Sequence, residues 1–348
     1  MYKILVTGGS GFIGSNFIYY CLNKNNKVLN FDKLTYAGNL NNLKKEESNK
    51  NYHFIQGDIC NKNKLTKSIE KFKPDFIVNF AAETHVDRSI ENSSSFIKTN
   101  ILGTSVLLDC CLENIDKNIN DFKLLHISTD EVYGSLDRQG FFTEESPYNP
   151  SSPYSASKAS SDHLVNAWHK TYGIKTNIIN CSNNYGPFQF PEKLIPLVII
   201  SAIRENSLPV YGTGKNIRDW LYVEDHCRAI YNVLLNGKNG DTYNVGGGEE
   251  KTNLEVVNNI CDILDDIYPS ENLKSYKELI KFVEDRPGHD FRYAIDYSKL
   301  KNELSWQPKE SFNSGLRKTI DWYLKNLDWI KNITSDKYNL SRLGLKNA

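Results

Sequence analysis

Apolar residues come in short runs separated by longer stretches that carry them at helical spacing, and the two patterns alternate from the N-terminus to about residue 182. The runs at 2–7, 28–32, 52–56, 76–81, 123–128 and 175–181 predict strands. Helical periodicity follows the first run to about Asn25 and recurs near 62–72, 92–115 and 152–171. Buried runs alternating with helices predict an α/β fold, a doubly wound parallel sheet of Rossmann type.

Beyond residue 182 the rhythm changes. Proline and glycine recur at Gly186-Pro187, Pro191, Pro196, Pro209, Gly212 and Gly214 between shorter elements. This predicts a smaller mixed α/β substrate-binding domain laid over the carboxyl ends of the strands. Asp219–Val233 and Thr242–Val245 are regular enough to return to the sheet, so the domains interleave: 1–182 with 219–245, and 183–218 with 246–330. Lys251–Tyr268 reads as helix, Trp306–Trp322 as a segment closing the core, and the polar tail 331–348 has no clear period.

The 348 residues carry 42 basic and 42 acidic side chains, so no global field favours nucleic acid or an anionic membrane. An anionic ligand needs a local cationic pocket instead. Seven cysteines, an odd number without a C-x-x-C pair, fit a reducing compartment. The opening Tyr2-Lys3-Ile4-Leu5-Val6 reads as a strand rather than a signal peptide. No apolar stretch is expected to reach the roughly 20 residues that span a bilayer. Together these predict a cytoplasmic protein. The histidines form no ligand-like cluster, so no metal is expected.

Gly8-x-x-Gly11-x-x-Gly14 lies between the first strand and its helix. Such glycines tighten the turn and let the backbone approach a pyrophosphate at a helix N-terminus. Asp32 ends the second strand, where a carboxylate accepts from both hydroxyls of a ribose and repels a 2′-phosphate. NAD is therefore the expected cofactor; the adjacent Lys33 works against that preference. Asp58 can accept from an adenine amino group or cap a helix. Phe80-Ala81-Ala82 places little bulk near the cofactor path.

Tyr154 and Lys158 stand four apart on one helix face. A lysine ammonium favours tyrosinate, a base that can deprotonate a hydroxyl while hydride leaves the same carbon. Thr129-Asp130-Glu131 directly follows the fifth strand, at the edge where open α/β sheets bind ligands. Thr129 can hold the oxygen being deprotonated. The two carboxyls can divide into acid and base if their surroundings split their pKa values. Ketone formation acidifies the neighbouring hydrogen, so a base there and an acid one carbon further allow elimination, after which the unsaturated ketone accepts the hydride back. The bland alternatives are a surface Tyr/Lys pair and a polar loop with a helix cap.

The segments GGSGFIG, DKLTYAGNLNNL, AAETHVDRSI, STDEVYG, YSASKA, NNYGPFQFPEKLIPL, YGTGKNIRDWLYVEDHCRAI and DRPGHDFRYAID resemble the dTDP-glucose 4,6-dehydratases, extended short-chain dehydrogenase/reductases. The likeness runs from about residue 2 to 330. It implies conversion of dTDP-α-D-glucose to the 4-keto-6-deoxy sugar and water, on the way to dTDP-L-rhamnose and other deoxysugars. In that reading Tyr154, helped by Thr129 and Lys158, takes the 4-hydroxyl proton. Glu131 removes and returns the hydrogen at carbon 5, and Asp130 protonates the leaving 6-hydroxyl. Thr84 and His85 are expected near the sugar, Thr84 also near the cofactor. The cofactor set is completed by Phe12, Ile13, Leu34, Thr35, Ile59 and Thr99. Asn183, Arg218 and Arg286 are implied diphosphate contacts. Glu192, Lys193 and Leu194 would lie over the nucleotide, with Pro209 and Tyr211 near the thymine and Asn253 and His289 as further contacts. Without the likeness, Arg218 could simply pair with Asp219 or Asp225, and His289 could be structural.

The family is usually a homodimer with a four-helix interface, for which 92–115 and 152–171 are long enough. Rival readings are a nucleotide-sugar 4-epimerase, which needs no acid at the 6-hydroxyl; a sister dehydratase for a GDP- or UDP-sugar; and a catalytically silent NAD-binding protein.

Overall fold

A computed structural model describes residues 1–116, 122–285 and 289–336. Its strands run in chain order as β1 (Lys3–Thr7), β2 (Lys27–Asp32), β3 (Tyr52–Gln56), β4 (Phe76–Asn79), β5 (Lys123–Thr129), β6 (Thr176–Cys181), β7 (Asn183–Tyr185), β8 (Leu208–Tyr211), β9 (Ile217–Tyr222), β10 (Thr242–Val245), β11 (Glu250–Thr252), β12 (Ile280–Val283) and β13 (Arg292–Tyr293). The main sheet has the order β10-β6-β5-β4-β1-β2-β3. All its neighbours are parallel. The order reverses between β1 and β4, which opens a crevice at the carboxyl ends of those strands.

The period of two sorts side chains to opposite faces. Ile4, Val6, Val28, Val78 and Leu125 join one core with helices Phe12–Asn23 and Val223–Asn236. Leu5, Leu29, Ile77 and Leu124 join the other with Lys62–Phe72, Gly103–Asp116 and Pro153–Tyr172. Both faces are covered, as parallel sheets require. Pro153 and the reciprocal Ser152/Ser155 capping box fix where the last of these helices begins. That start places Tyr154 and Lys158 beside the end of β5.

Several boundaries differ from expectation. The expected helix 92–115 is a continuous path of Ser94–Phe96, a π-helical Ile97–Leu102 and Gly103–Asp116. Its Ser94–Asn114 portion is long and apolar enough to cross a membrane, by length and composition, which corrects the expectation that no such stretch exists; much of it is buried within the protein. Ile217–Tyr222 pairs with β7, β11 and β13 in a separate sheet, so the return to the main sheet starts at Val223, not Asp219. Lys251 and Thr252 are strand, and the helix is Asn253–Ile267, because Thr252 caps it in a box with Glu255. Leu300 and Trp306 join the main-sheet core, so the later chain crosses back once more. The smaller domain has its own core, from Val198, Val257, Ile260, Leu316 and Ile320 among others.

Candidate active site

A cleft of about 280 Å³ runs from the glycine loop to the smaller domain. Gly8 has φ +68, and a Cβ there would sit 2.6 Å from the Ala81 nitrogen; at Gly14 a Cβ would meet Gly8 O at 2.5 Å. The first glycine thus permits the turn and the last lets the helix close on it. No described side chain caps the helix that begins at Phe12, so its first N–H groups face the cleft as an anion site.

Asp32 accepts from the N–H groups of Ser10 (2.9 Å) and Leu34 (2.7 Å), which fixes its carboxylate against the cleft. Lys33 pairs with Asp58 at 2.9 Å. Partial burial opposes ionisation of Asp58, but Lys33 and the Cys60 N–H outweigh it and hold the carboxyl below its ordinary range. The helix cap belongs to Asn61, which accepts from Lys64 N at 3.1 Å. Thr35, Ile59, Phe80, Ala81, Ala82, Thr84 and Thr99 line the same cleft; Leu34 does not. The residues present fit a dinucleotide whose ribose carries no 2′-phosphate.

At the reacting end Thr129 closes β5 and heads a single turn, Asp130–Tyr133. Its Oγ1 accepts from Glu131 N and donates to Asp130 Oδ1, each at 3.3 Å. Asp130 is 1% exposed, and its Oδ2 has no partner among the described residues. Burial, then Glu131 and Asp219, push the Asp130 carboxyl well above its usual range, which favours its protonated form. Glu131 lines the cleft and is half-buried. The adjacent carboxyls therefore occupy different environments.

Tyr154 and Lys158 line the cleft with Thr129 and Glu131. Burial and then Glu131 raise the Tyr154 phenol well above its ordinary value, opposed by a hydrogen bond with Thr129. Burial depresses the Lys158 ammonium, opposed by Asp162. Lys158 Nζ donates to Ile127 O at 2.7 Å.

From the smaller domain, Asn183, Glu192 and Lys193 reach the cleft. Glu192 accepts from Arg88 Nε and from the Tyr36 hydroxyl, both at 2.9 Å, and Lys193 Nζ donates to Thr84 O at 2.9 Å. His85 Nε2 lies 3.3 Å from Glu192 O. Arg218 is 5% exposed; it donates to the carbonyls of Ile217, Asp290 and Phe291 and lies 4.3 Å over the Tyr293 ring. The two carboxylates considered as its partners are engaged elsewhere: Asp219 with Gly247 N and Glu249 N, Asp225 with Arg228. His289 Nδ1 is 2.6 Å from Asp285 Oδ1. Pro209 and Tyr211 sit on β8, beside β12, and Asn253 heads its helix. Leu194 starts the helix Leu194–Ile203. His85, Leu194, Pro209, Tyr211, Arg218, Asn253 and His289 do not line this cleft, and Arg286 lies outside the described residues.

Two groups escaped the sequence reading. One is Tyr36 with Arg88, whose guanidinium lies 4.0 Å over the tyrosine ring. The other is a polar set beneath Lys158: buried His126, Ser128 and Asp162, with half-buried Tyr148. Asp162 follows Lys158 by one helical turn, the one signal that could have drawn attention to it.

The family model described as GDP-mannose 4,6 dehydratase matches residues 5–319. A probable dTDP-glucose 4,6-dehydratase of Sinorhizobium fredii is 54% identical over 347 residues, 99% of each chain. The dTDP-glucose 4,6-dehydratase of Bacillus anthracis, solved in complex with NAD, is 47% identical with a TM-score of 0.86 over 96% of this chain and 100% of that one. The Streptomyces venezuelae enzyme of the same name, also with NAD bound, gives 43% and 0.88 over 95% and 99%.

Proposed function

We propose that this chain, which belongs to the GDP-mannose 4,6 dehydratase family, is an NAD-dependent hydro-lyase that converts dTDP-α-D-glucose to dTDP-4-dehydro-6-deoxy-α-D-glucose and water. The carrying observation is the split pair Asp130–Glu131: one carboxyl buried, where its pKa is raised, the other in the cleft beside Tyr154 and Lys158. Near-complete coverage by relatives named for dTDP-glucose supports the nucleotide choice.

Gly8, Gly11, Phe12, Ile13, Gly14 and Asp32 would hold NAD, with Lys33, Thr35, Asp58, Ile59 and Thr99 along its length. Bound there, NAD accepts hydride from carbon 4 of the sugar and returns it to carbon 6, with no net consumption. Tyr154 takes the 4-hydroxyl proton while Thr129 holds that oxygen and Lys158 favours the tyrosinate. Glu131 removes the hydrogen at carbon 5, now beside a carbonyl, and later gives it back. Asp130 donates to the departing 6-hydroxyl. A cycle thus leaves a proton on Tyr154 and removes one from Asp130; the Thr129 hydroxyl, bonded to Asp130 and to Tyr154, lies between the two groups to be reset. Asn183, Glu192, Lys193, Leu194, Arg218 and Arg286 are assigned to the nucleotide and its diphosphate, Pro209 and Tyr211 to the base, and Thr84, His85, Asn253 and His289 to the remainder of the substrate.

A 4-epimerase has no use for an acid at the 6-hydroxyl, and a silent NAD-binding protein has no use for the pair at all. Product analysis across dTDP-, UDP- and GDP-glucose and GDP-mannose decides. The expected result is a 4-keto-6-deoxy product from dTDP-glucose, with the carbon-4 hydrogen found at carbon 6. Recovery of dTDP-galactose alone, or of unchanged substrate with NAD present, rejects the assignment; a GDP-sugar product at higher efficiency moves it to the sister dehydratase.

The quaternary reading is a homodimer in which Ser94–Asp116 and Pro153–Tyr172 of each copy form a four-helix interface. Ile97, Leu102 and Tyr172 on these helices are exposed at 54%, 51% and 52%. The seven described cysteines are all free, which supports a cytoplasmic placement.

A further inference from the structure

Beneath Tyr154 and Lys158 lies a polar chain that is buried at Asp162, His126, Ser128 and Ser161 and reaches half-buried Tyr148. Asp162, fully buried, accepts from Ser128 Oγ at 2.7 Å and from the Tyr148 hydroxyl at 3.1 Å with Oδ2. Its Oδ1 lies 3.5 Å from His126 Nε2. The same ring nitrogen is 3.2 Å from Lys158 Nζ and 3.2 Å from Ser161 Oγ. Across the ring, Asn79 Nδ2 stands 3.0 Å from Nδ1. In that arrangement Nδ1 accepts, so the proton sits on Nε2, toward Ser161 and Asp162. The ammonium donates one hydrogen to Ile127 O.

Moving an ammonium out of water costs several kcal/mol unless a counter-charge compensates. Lys158 is 3% exposed. The titratable groups facing it are Tyr154 and Asp162 on its own helix, His126 on β5 and Cys181 on β6. Burial keeps His126 well below its usual value and Cys181 well above, so both are neutral. Tyr154 is ionised only during the chemistry. Asp162, raised by burial to about 6 and opposed by Lys158 and its two hydroxyl donors, is an anion at neutral pH. Among the described residues it faces the titratable groups His126, Tyr133, Tyr148 and Lys158.

We propose that Asp162 is a positioning residue for the oxidation step: acting past His126, its carboxylate keeps Lys158 an ammonium aimed into the cleft and so sets the pH at which Tyr154 ionises. The proposal rests on the reading of Tyr154 as base in this cleft. Its sign is informative. If Lys158 depends on Asp162 for its proton, removing the carboxylate removes two opposite charges, and Tyr154 loses its nearer stabiliser. If Lys158 keeps its proton unaided, removing a nearby anion makes Tyr154 easier to ionise.

The test is an ultraviolet titration of tyrosinate, taken as the difference between each protein and its Tyr154→Phe counterpart, paired with the pH profile of turnover. Asp162→Asn keeps the side-chain shape and an acceptor for Ser128 and Tyr148. The expected result is an upward shift of about one pH unit in the Tyr154 midpoint. The acid limb of kcat should move with it, while KM stays within about twofold. Val165→Ala, a fully buried apolar residue further along the helix, should lower Tm and move neither. Ser128→Ala, which removes the shorter bond to the carboxylate, should shift the midpoint the same way by less, and it carries the test if Asp162→Asn does not fold. An unshifted or a downward midpoint overturns the proposal. Absence of a 4-keto product from the unaltered enzyme would instead reject the function, since the titration needs no substrate.

Discussion

At the residue scale the proposed chemistry depends on two neighbours in sequence having unlike surroundings. Glu131→Gln keeps the shape of the base and removes its charge. Ketone formation at carbon 4 should persist, exchange of the carbon-5 hydrogen with solvent deuterium should stop, and turnover should fall by about 10²–10⁴-fold. Normal exchange in that variant would remove Glu131 from the role. Asp130 carries a pH consequence as well. Its folded pKa lies above the ordinary 3.8, so its burial stabilises the fold fully below that value and progressively less as pH rises through the folded one. Asp130→Asn abolishes this dependence. Its Tm relative to the unaltered protein should therefore climb between acidic and alkaline pH, while dehydration is lost throughout. A constant Tm difference would mean that Asp130 is ionised in the fold. The residues that could be read from sequence were those whose spacing is itself chemical: Gly8, Gly11 and Gly14, Tyr154 with Lys158, and the adjacent Thr129-Asp130-Glu131. His126 and Ser128 could not be, because a polar residue on an internal strand looks the same whether it faces solvent, a helix or a buried carboxylate.

Elements were legible wherever period and punctuation agreed. Periodicity predicted a helix over 152–171, and Pro153 at the first helical position with the Ser152 capping box sets its observed start one residue later. Where an apolar run continued past its strand, as at Phe80-Ala81-Ala82 after β4, the pattern overshot, since those residues face the cleft instead of pairing. The strand Ile217–Tyr222 was credited to the wrong sheet for a related reason. Its partners, β7, β11 and β13, are short and distant in sequence, and no local signal reports a pairing between them. In the proposed reading the glycine loop is the element that most constrains cofactor binding. Alanine at Gly14 should favour the helix by up to about 1 kcal/mol on propensity alone. Its methyl, however, would lie 2.5 Å from Gly8 O and 2.8 Å from Gly9 Cα, both backbone atoms, so the loop must move. Sterics win: Gly14→Ala should weaken NAD binding by roughly tenfold or more, about 1.4 kcal/mol, measured by fluorescence titration. Unchanged affinity would show that the third glycine is dispensable to the approach.

For the molecule as a whole, the sequence predicted two interleaved domains sharing a cleft, but not how they are joined. The joint is polar and brings together residues from three distant segments. Glu192 of the smaller domain, its carboxylate only 2% exposed, is held by Arg88 and Tyr36 of the larger. Arg88 also covers the Tyr36 ring. Neither a lone glutamate nor an arginine near a helix start announces such a contact. Removing the cation alone leaves a buried carboxylate uncompensated. Arg88→Ala should therefore cost about 2–3 kcal/mol, the lower end for a buried pair because Arg88 is itself 29% exposed. Glu192→Gln in the same chain removes the orphaned charge and should restore part of the lost Tm. The restoration should be confined to stability. Both the single and the double variant lack the charged joint over the cleft, so both should bind substrate more weakly. A thermodynamic cycle over the two positions, read by denaturation and by KM, separates these effects. Strictly additive losses in Tm would mean that Arg88 and Glu192 act independently, and that this ion pair does not join the domains.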